Sequence, residues 1–265
     1  MLGIFETIGR SVMSWWLISR DFFSLAGETF YWLLVGPFRQ KPVKRETAFS
    51  QMVFMGLQSV IIVFFVMFFT GLVLAMQSAY QLSKLGATIY VASLTSVSIC
   101  RELGPVLTAL VIAGRIGAAI TAEIGSMQVN EQIEALETMA INPVRFLVAP
   151  KLVALFCMLP CLTVWGDFSG IAGGYVVGVF NLHINPYLFV QTAFKYLTLK
   201  DIYTGLFKSL VFAVIIVLVG AYQGLKTRGG AVGVGRATTI SVVTSFILII
   251  FSDCVVTGVF YFLNM

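Results

Sequence analysis

The sequence predicts an all-α integral membrane protein: five transmembrane helices, an N-terminal interfacial amphipathic helix and a short acidic helix on the cytoplasmic side. Three observations predict it. Apolar residues make up 58% of the 265 and charged residues 11%, with a mean hydropathy of +0.94. A soluble domain averages roughly 25% charged residues, so this chain has too little polar surface to meet water on every side. Second, five apolar stretches each reach the about 20 residues that a spanning helix needs. Third, the basic residues gather on one side of those stretches. The length accommodates one membrane domain, residues 1–265, with no room for a separate soluble enzyme.

The first 30 residues are apolar but broken by Glu6, Arg10, Arg20, Asp21 and Glu28, so no uninterrupted signal-peptide core forms. Ile4, Ile8, Val12 and Trp15 recur at helical intervals against Glu6, Arg10, Ser11 and Ser14. With Trp15, Trp16 and Trp32, this pattern suits a helix lying in the interface, and residues 1–46 are read as an interfacial and cytoplasmic segment. A sixth span is the alternative; Arg20-Asp21 near the middle of the only available apolar stretch counts against it.

From Thr47 to Ser83 there is no charged residue, and residues 51–77 form the first span. TIYVASLTSVSICRELGPVLTALVIAGRIGAAITAEIG follows, interrupted by Arg101, Glu102 and Pro105. Residues 103–122 are read as the second span, with a kink or break near Gly104-Pro105. Residues 88–100 are a helical lead-in, either re-entrant or part of that span. The third span, 149–180, carries Pro160 and Asp167; the fourth is 202–225, with Lys208 near its start; the fifth is 238–263, with Asp253 inside it.

Orientation follows from the cations. Arg10, Arg20, Arg39, Lys41, Lys44 and Arg45 precede the first span. Arg115, Arg145 and Lys151 are assigned to the connection from second to third span, and Lys226, Arg228 and Arg236 to that from fourth to fifth. Together they are twelve of the seventeen basic residues, which puts the N-terminus in the cytoplasm and, after five spans, the C-terminus outside. The net charge of +5 is therefore explained by topology, and no nucleic-acid partner is expected. Cys100, Cys157, Cys161 and Cys254 lie in apolar segments; Cys157 and Cys161 share a helix face, but without a His or a further Cys cluster they read as small buried hydrophobes and no metal site is expected. His183, in NLHINP, reads as a loop residue.

The acidic helix is EQIEALETMAINP, residues 131–143. Asn130 is positioned to cap it and Pro143 to close it, leaving residues 131–141 helical. That is roughly 16 Å, too short to span a bilayer. Ile133, Leu136 and Ala140 fall on one stripe with Met139 beside it, while Glu131, Glu134 and Thr138 fall on another. Periodicity alone leaves two readings: a solvated helix packed on its own bundle, or a docking helix whose apolar stripe enters a partner's groove.

RELGPVLTALVIAGRIGAAITAEIGSMQVNEQIEALETMAINP, followed by GGAVGVGRATTISVV near the end, resembles the MlaE-type permeases of ABC lipid transporters that work with MCE proteins. The blocks stand in the family's order and spacing, and its organisation covers nearly the whole chain. The resemblance implies that residues 131–141 are a coupling helix docking on a separate ABC ATPase. Ile133 and Leu136 would be anchors, Met139 would lie beside them, and Glu131, Glu134 and Glu137 would meet basic residues. It further implies a homodimer in the bacterial inner membrane with a phospholipid cavity formed chiefly by the first and fifth spans. Partners would be a periplasmic MCE-domain carrier and, in some systems, a small STAS-domain protein. Its role would be to maintain outer-membrane lipid asymmetry.

Within that frame this chain is expected to catalyse nothing and to hold no cofactor or metal. It has no G-x-x-x-x-G-K-[ST] phosphate loop; ATP and Mg would sit on the partner. Gly229, Gly230, Gly233 and Gly235 would form a close-packed turn at the base of the fifth span, with Arg236 reaching the ATPase or inner-leaflet phosphates. Arg101 and Glu102 are read either as a pair that stabilises the helix break or as cavity residues, with Arg101 meeting a lipid phosphate. Gln77 and Tyr80 are rim candidates. Depth arithmetic places Asp253 roughly 15 Å and Lys208 roughly 9 Å from the outer end, close enough for an ion pair given the lysine's flexible stem. Asp167 is a further intramembrane charge without a readable partner. Two rival readings stand beside the permease: a proton-coupled secondary transporter using Asp167 and Asp253, and a non-transporting membrane scaffold.

Overall fold

The computed structural model describes residues 2–35 and 45–262, except the side chains of residues 2–12, 14, 15, 17, 18 and 45. The amphipathic pattern of Ile4, Glu6, Ile8, Arg10, Ser11, Val12, Ser14 and Trp15, and the cations Arg39, Lys41 and Lys44, fall outside that description. The described residues form helices and connections, with no strand. Five helices are long and apolar enough to cross a membrane: Glu46–Ser83, Thr88–Val129, Val144–Asn181, Leu199–Leu225 and Gly230–Phe262.

The first of these comprises α2 (Arg45–Met55), a tight turn at Leu57–Ser59, and α3 (Val60–Ser83). The second is one continuous helix rather than a broken one. It runs through α4 (Val91–Ser98), α5 (Gly104–Ile112) and α6 (Ala118–Val129), joined by wide π turns at Ile99–Leu103 and Ala113–Gly117. The expected break at Pro105 is absent for a physical reason. Proline lacks an N–H and its ring crowds the carbonyl one turn back; the π turn immediately before it widens that turn and lets the helix continue. Residues 91–98 are thus part of the same helix, and Arg115 belongs to its interior rather than to the following connection.

The third helix begins with a π turn at Val144–Val148, continues as α8 (Ala149–Val176), and ends in another at Val177–Asn181. It packs along α3 through small residues. A Cβ on Gly71 would lie 1.9 Å from the Gly170 carbonyl oxygen, and one on Gly173 would lie 2.1 Å from that of Phe68. Such close backbone approach is how helices gain contact where apolar surface alone gives no drive. Val63, Met67, Ile99, Ile112, Ile116, Leu155, Leu159, Phe212 and Ile216 form the core between α3, the second helix, α8 and the fourth membrane helix.

A short helix that the hydropathy pattern does not predict, α9 (Pro186–Tyr196), follows. Its signal is the Asn185-Pro186 pair: the Asn185 side chain accepts from the Tyr187 N–H at 2.9 Å, and Pro at the first position supplies a helical φ. Phe189 is its buried anchor, edge-on to Tyr175. Next, α10 (Leu199–Leu225) opens with a capping box in which Asp201 accepts from the Thr198 N–H at 3.0 Å. The connection to α11 (Gly230–Phe262) turns on Gly229 and Gly230, with φ of 90° and 68°. A Cβ on Gly233 would meet the Arg228 carbonyl oxygen at 1.9 Å, whereas Gly235 has open space around it.

At the same end of the bundle as that turn lies α1 (Leu2–Leu34). Three of its side chains make polar or cation–π contacts with the bundle. Glu28 accepts from Asn142 at 2.6 Å, Trp32 lies under the Arg145 guanidinium, and Asp21 pairs with Lys226 at 2.8 Å. The Lys226 hydrogen bond lowers the Asp21 pKa, and the same bond, helped by Tyr222, raises that of Lys226. Trp16, Phe23 and Phe30 face outward along α1 while Leu25 and Thr29 are buried.

Candidate functional site

Three features account for the polar side chains singled out in the sequence. The first is a charged cluster near the α9 end of the bundle. Lys208 on α10 is fully buried. Its ammonium pairs with the Glu102 carboxylate from the π turn of the second helix, with Asp253 Oδ1 at 2.8 Å, and with the Thr257 hydroxyl at 2.8 Å. Asp253 and Thr257 stand one turn apart on α11, so one cation ties three helices together. The expected Lys208–Asp253 pair is present; Glu102 and Thr257 are additional members that sequence reasoning missed.

Arg101 and Glu102 do not pair with each other. Adjacent helical residues point about 100° apart, and Arg101 turns instead to Asp201 at 3.6 Å, beside the α10 capping box. Both side chains remain over a third exposed. Asp167 sits on the opposite side of the second helix. Gly104 approaches it so closely that a Cβ there would lie 1.8 Å from Oδ1, and that oxygen is buried without a hydrogen-bond partner among the described residues. His183 occupies a turn with φ of 54°. Cys100 is buried, but Cys157, Cys161 and Cys254 are exposed, so on the outer faces of α8 and α11 cysteine serves as a surface apolar residue rather than a core one. No cluster of metal-ligating side chains occurs among the described residues.

The second feature is an apolar groove of about 500 Å³ lined by Phe69, Thr70, Val73, Leu74, Gln77 and Leu103. Gln77 is thus at its polar end, and Leu103 places it directly beside the π turn that carries Arg101 and Glu102. Tyr80 lies one turn beyond, exposed, with its hydroxyl accepting from Lys84 at 3.1 Å.

The third is the acidic helix, α7 (Gln132–Thr138), shorter than the 131–141 expected. Asn130 does not cap it; Glu131 occupies the cap position in the left-handed region, φ 56°. Nor does Pro143 close it. Ala140 adopts φ 58°, its N–H bonds Glu137 O at 2.9 Å, and the Ile141 N–H reaches Leu136 O at 2.9 Å, a Schellman stop. A left-handed conformation costs a non-glycine residue about 1–2 kcal/mol, so Ala140→Gly is expected to raise stability by up to about 1 kcal/mol, read as a higher melting midpoint in detergent.

The expected anchors need correction. Ile133 is only 4% exposed and belongs to the chain's own core, and Leu136 packs against the same core. Ile133 is not presented to a partner and holds α7 onto its own bundle, while Leu136 is half-buried. What α7 offers outward is Glu131, Glu134, Glu137 and Met139, all exposed.

Known proteins match this arrangement over most of its length. A family profile described as Permease MlaE matches residues 48–259. A probable ABC transporter permease protein of Rickettsia felis is 39% identical over 261 residues, covering 98% of this chain and 99% of the relative. One from Synechocystis is 42% identical over 231 residues, 87% of this chain and 86% of the relative. Another from Pyropia yezoensis is 36% identical over 237 residues, 89% of each. With five apolar helices long enough to cross a bilayer and that match spanning four-fifths of its length, the chain is a multi-pass ABC transporter permease and belongs to the MlaE permease family.

Proposed function

We propose that the chain is the membrane subunit of an ATP-driven phospholipid transporter that moves lipid between the bacterial inner membrane and a periplasmic MCE-domain carrier, maintaining outer-membrane lipid asymmetry. The observation that carries this reading is the groove on α3: an apolar wall of Phe69, Val73 and Leu74 ending at Gln77, closed by Leu103 from the π turn that also carries Arg101. An acyl chain fits the wall, and the guanidinium suits a phosphate at its end.

The remaining features support the same reading. On the topology drawn from the cations, α7 lies in the cytoplasm with the N-terminus, and the groove opens toward the periplasm with the C-terminus. The exposed glutamates of α7 suit a basic groove on the ABC ATPase, where ATP and Mg would bind, and a small STAS-domain protein would act on that ATPase. The most apolar stretch of α11 is only 11% buried, which leaves it free to meet a second copy, so that two α3 grooves would share one cavity. The Lys208 pair accounts for Asp253 as a structural charge, which removes one of the two carboxylates that a proton-driven mechanism would use. Conformational change reaches the groove through the long second helix, which joins α7 directly to the π turn at Arg101.

Purifying the tagged protein from its own membranes tests this. The expected result is co-purification of an ABC ATPase together with glycerophospholipid. A chain that comes alone and supports proton-linked uptake points to a secondary transporter, and a partner without lipid or transport points to a scaffold; either outcome sinks the proposal.

A further inference from the structure

The broad exposed face of the first membrane helix includes a stripe at helical spacing that runs from Phe54 and Gln58 through Phe65 and Phe69 to Gln77. From Gln58 to Gln77 it covers about 28 Å of helix, close to the about 30 Å of a bilayer's hydrocarbon core. The groove described above occupies only its outer half. At its inner end stands Arg115, in the second π turn of the neighbouring helix. Its guanidinium donates to Ser59 Oγ and to Gln58 Oε1 at 2.9 Å, and lies 5.7 Å from the centre of the Phe54 ring. Ser59 spends its own proton on the Met55 carbonyl at 2.7 Å, so it serves Arg115 as an acceptor.

Those two bonds use two of the five N–H donors that a guanidinium carries. No carboxylate lies within ion-pair distance of Arg115 among the described residues, although Arg101, Lys151, Lys208 and Lys226 each have one. Its depth follows from two hydrogen-bonded levels. Six residues toward the α7 end, Thr121 bonds the Gly220 carbonyl at 3.1 Å, and six residues beyond Gly220 lies Lys226, paired with α1. Arg115 is therefore about 18 Å from Lys226 along the bundle, level with Gln58, where the apolar stripe begins. A cation at the edge of an apolar face takes a partner from protein, water or ligand.

We propose that Arg115, with Gln58, is a second phosphate station for phospholipid, at the inner end of the same stripe whose outer end is marked by Gln77. This rests on the phospholipid reading above and deepens it. Arg115 and Arg101 lie on one helix about 21 Å apart, with an apolar α3 face between them along which acyl chains lie. Arg115 binds the headgroup phosphate through its free donors while Gln58 and Ser59 hold the guanidinium plane fixed.

The test uses the full chain in detergent, titrated with tail-fluorescent phosphatidylglycerol and with the matching diacylglycerol, which lacks phosphate. Arg115→Met is expected to weaken phosphatidylglycerol binding about tenfold, as for the loss of one charge-assisted pair, and to leave diacylglycerol binding unchanged. Arg115→Lys should restore most of the affinity. If Arg115→Met binds both lipids as the wild type does, Arg115 merely pins the turn between α2 and α3 and the proposal falls. A wild type that binds neither lipid overturns the phospholipid reading itself. A measurement on the unaltered protein covers the case in which Arg115→Met does not fold. Phosphatidylethanolamine with a photoreactive headgroup should label residues 54–62; label confined to residues 77–84 overturns the inner station.

Discussion

Lys208→Met is expected to cost about 3–5 kcal/mol of stability, the range for breaking a buried ion pair from one side. The variant should be recovered from membranes in low yield with a strongly lowered melting midpoint. Lys208 is fully buried and holds Glu102, Asp253 and Thr257 from two other helices. Its removal leaves two carboxylates facing each other with no cation between them. Neutralising Asp253 as well recovers only part of the loss, because Glu102 remains. The triple variant Glu102→Gln, Lys208→Met, Asp253→Asn removes all three charges and should recover most of it. A melting midpoint for Lys208→Met equal to that of the wild type would show that this cluster does not hold the helices together.

The second large effect is expected at the opposite end. Reversing Glu134 and Glu137 to lysine should weaken association with the co-expressed ATPase about 10- to 100-fold, since like charges juxtaposed across an interface cost several kcal/mol. The bundle should melt normally, because both side chains are exposed. Ile133→Asp provides the contrast. That side chain is 4% exposed in the chain's own core, so its substitution should lower the melting midpoint even with no ATPase present. Pull-down and thermal melting together separate the two roles; unchanged ATPase binding by the double lysine variant would remove α7 as the docking surface.

Much of the architecture was legible because a bilayer enforces length and composition together. Runs such as VIIVFFVMFFTGLVLAM have one way to satisfy their backbone in lipid. The Lys208–Asp253 pair was legible for a related reason, since helical rise converts sequence position into depth. What could not be read was direction around the helix axis. Ile133 and Leu136 define a face, but their spacing does not say whether the neighbour on that face is a partner or the bundle itself. The Glu102–Lys208 pair was not legible because Glu102 stands next to Arg101 in the chain, while a helix sends the two to different neighbours. Arg115 was counted among the connecting cations because a single arginine in GRIGAA carries no mark of the π turn that directs it toward Ser59. The helix α9 had a readable signal in Asn185-Pro186, masked by its mixed polarity.

The two left-handed residues that bracket α7 have a mechanical consequence. Glu131 and Ala140 hold this short helix at each end, where glycine would have given slack, and Ile133 fastens its middle to the core. Such a segment has little compliance of its own. On the docking reading, a load applied to its outer face would pass into α6 on one side and the start of α8 on the other. The segment would then act as a rocker pinned at both ends and at its middle.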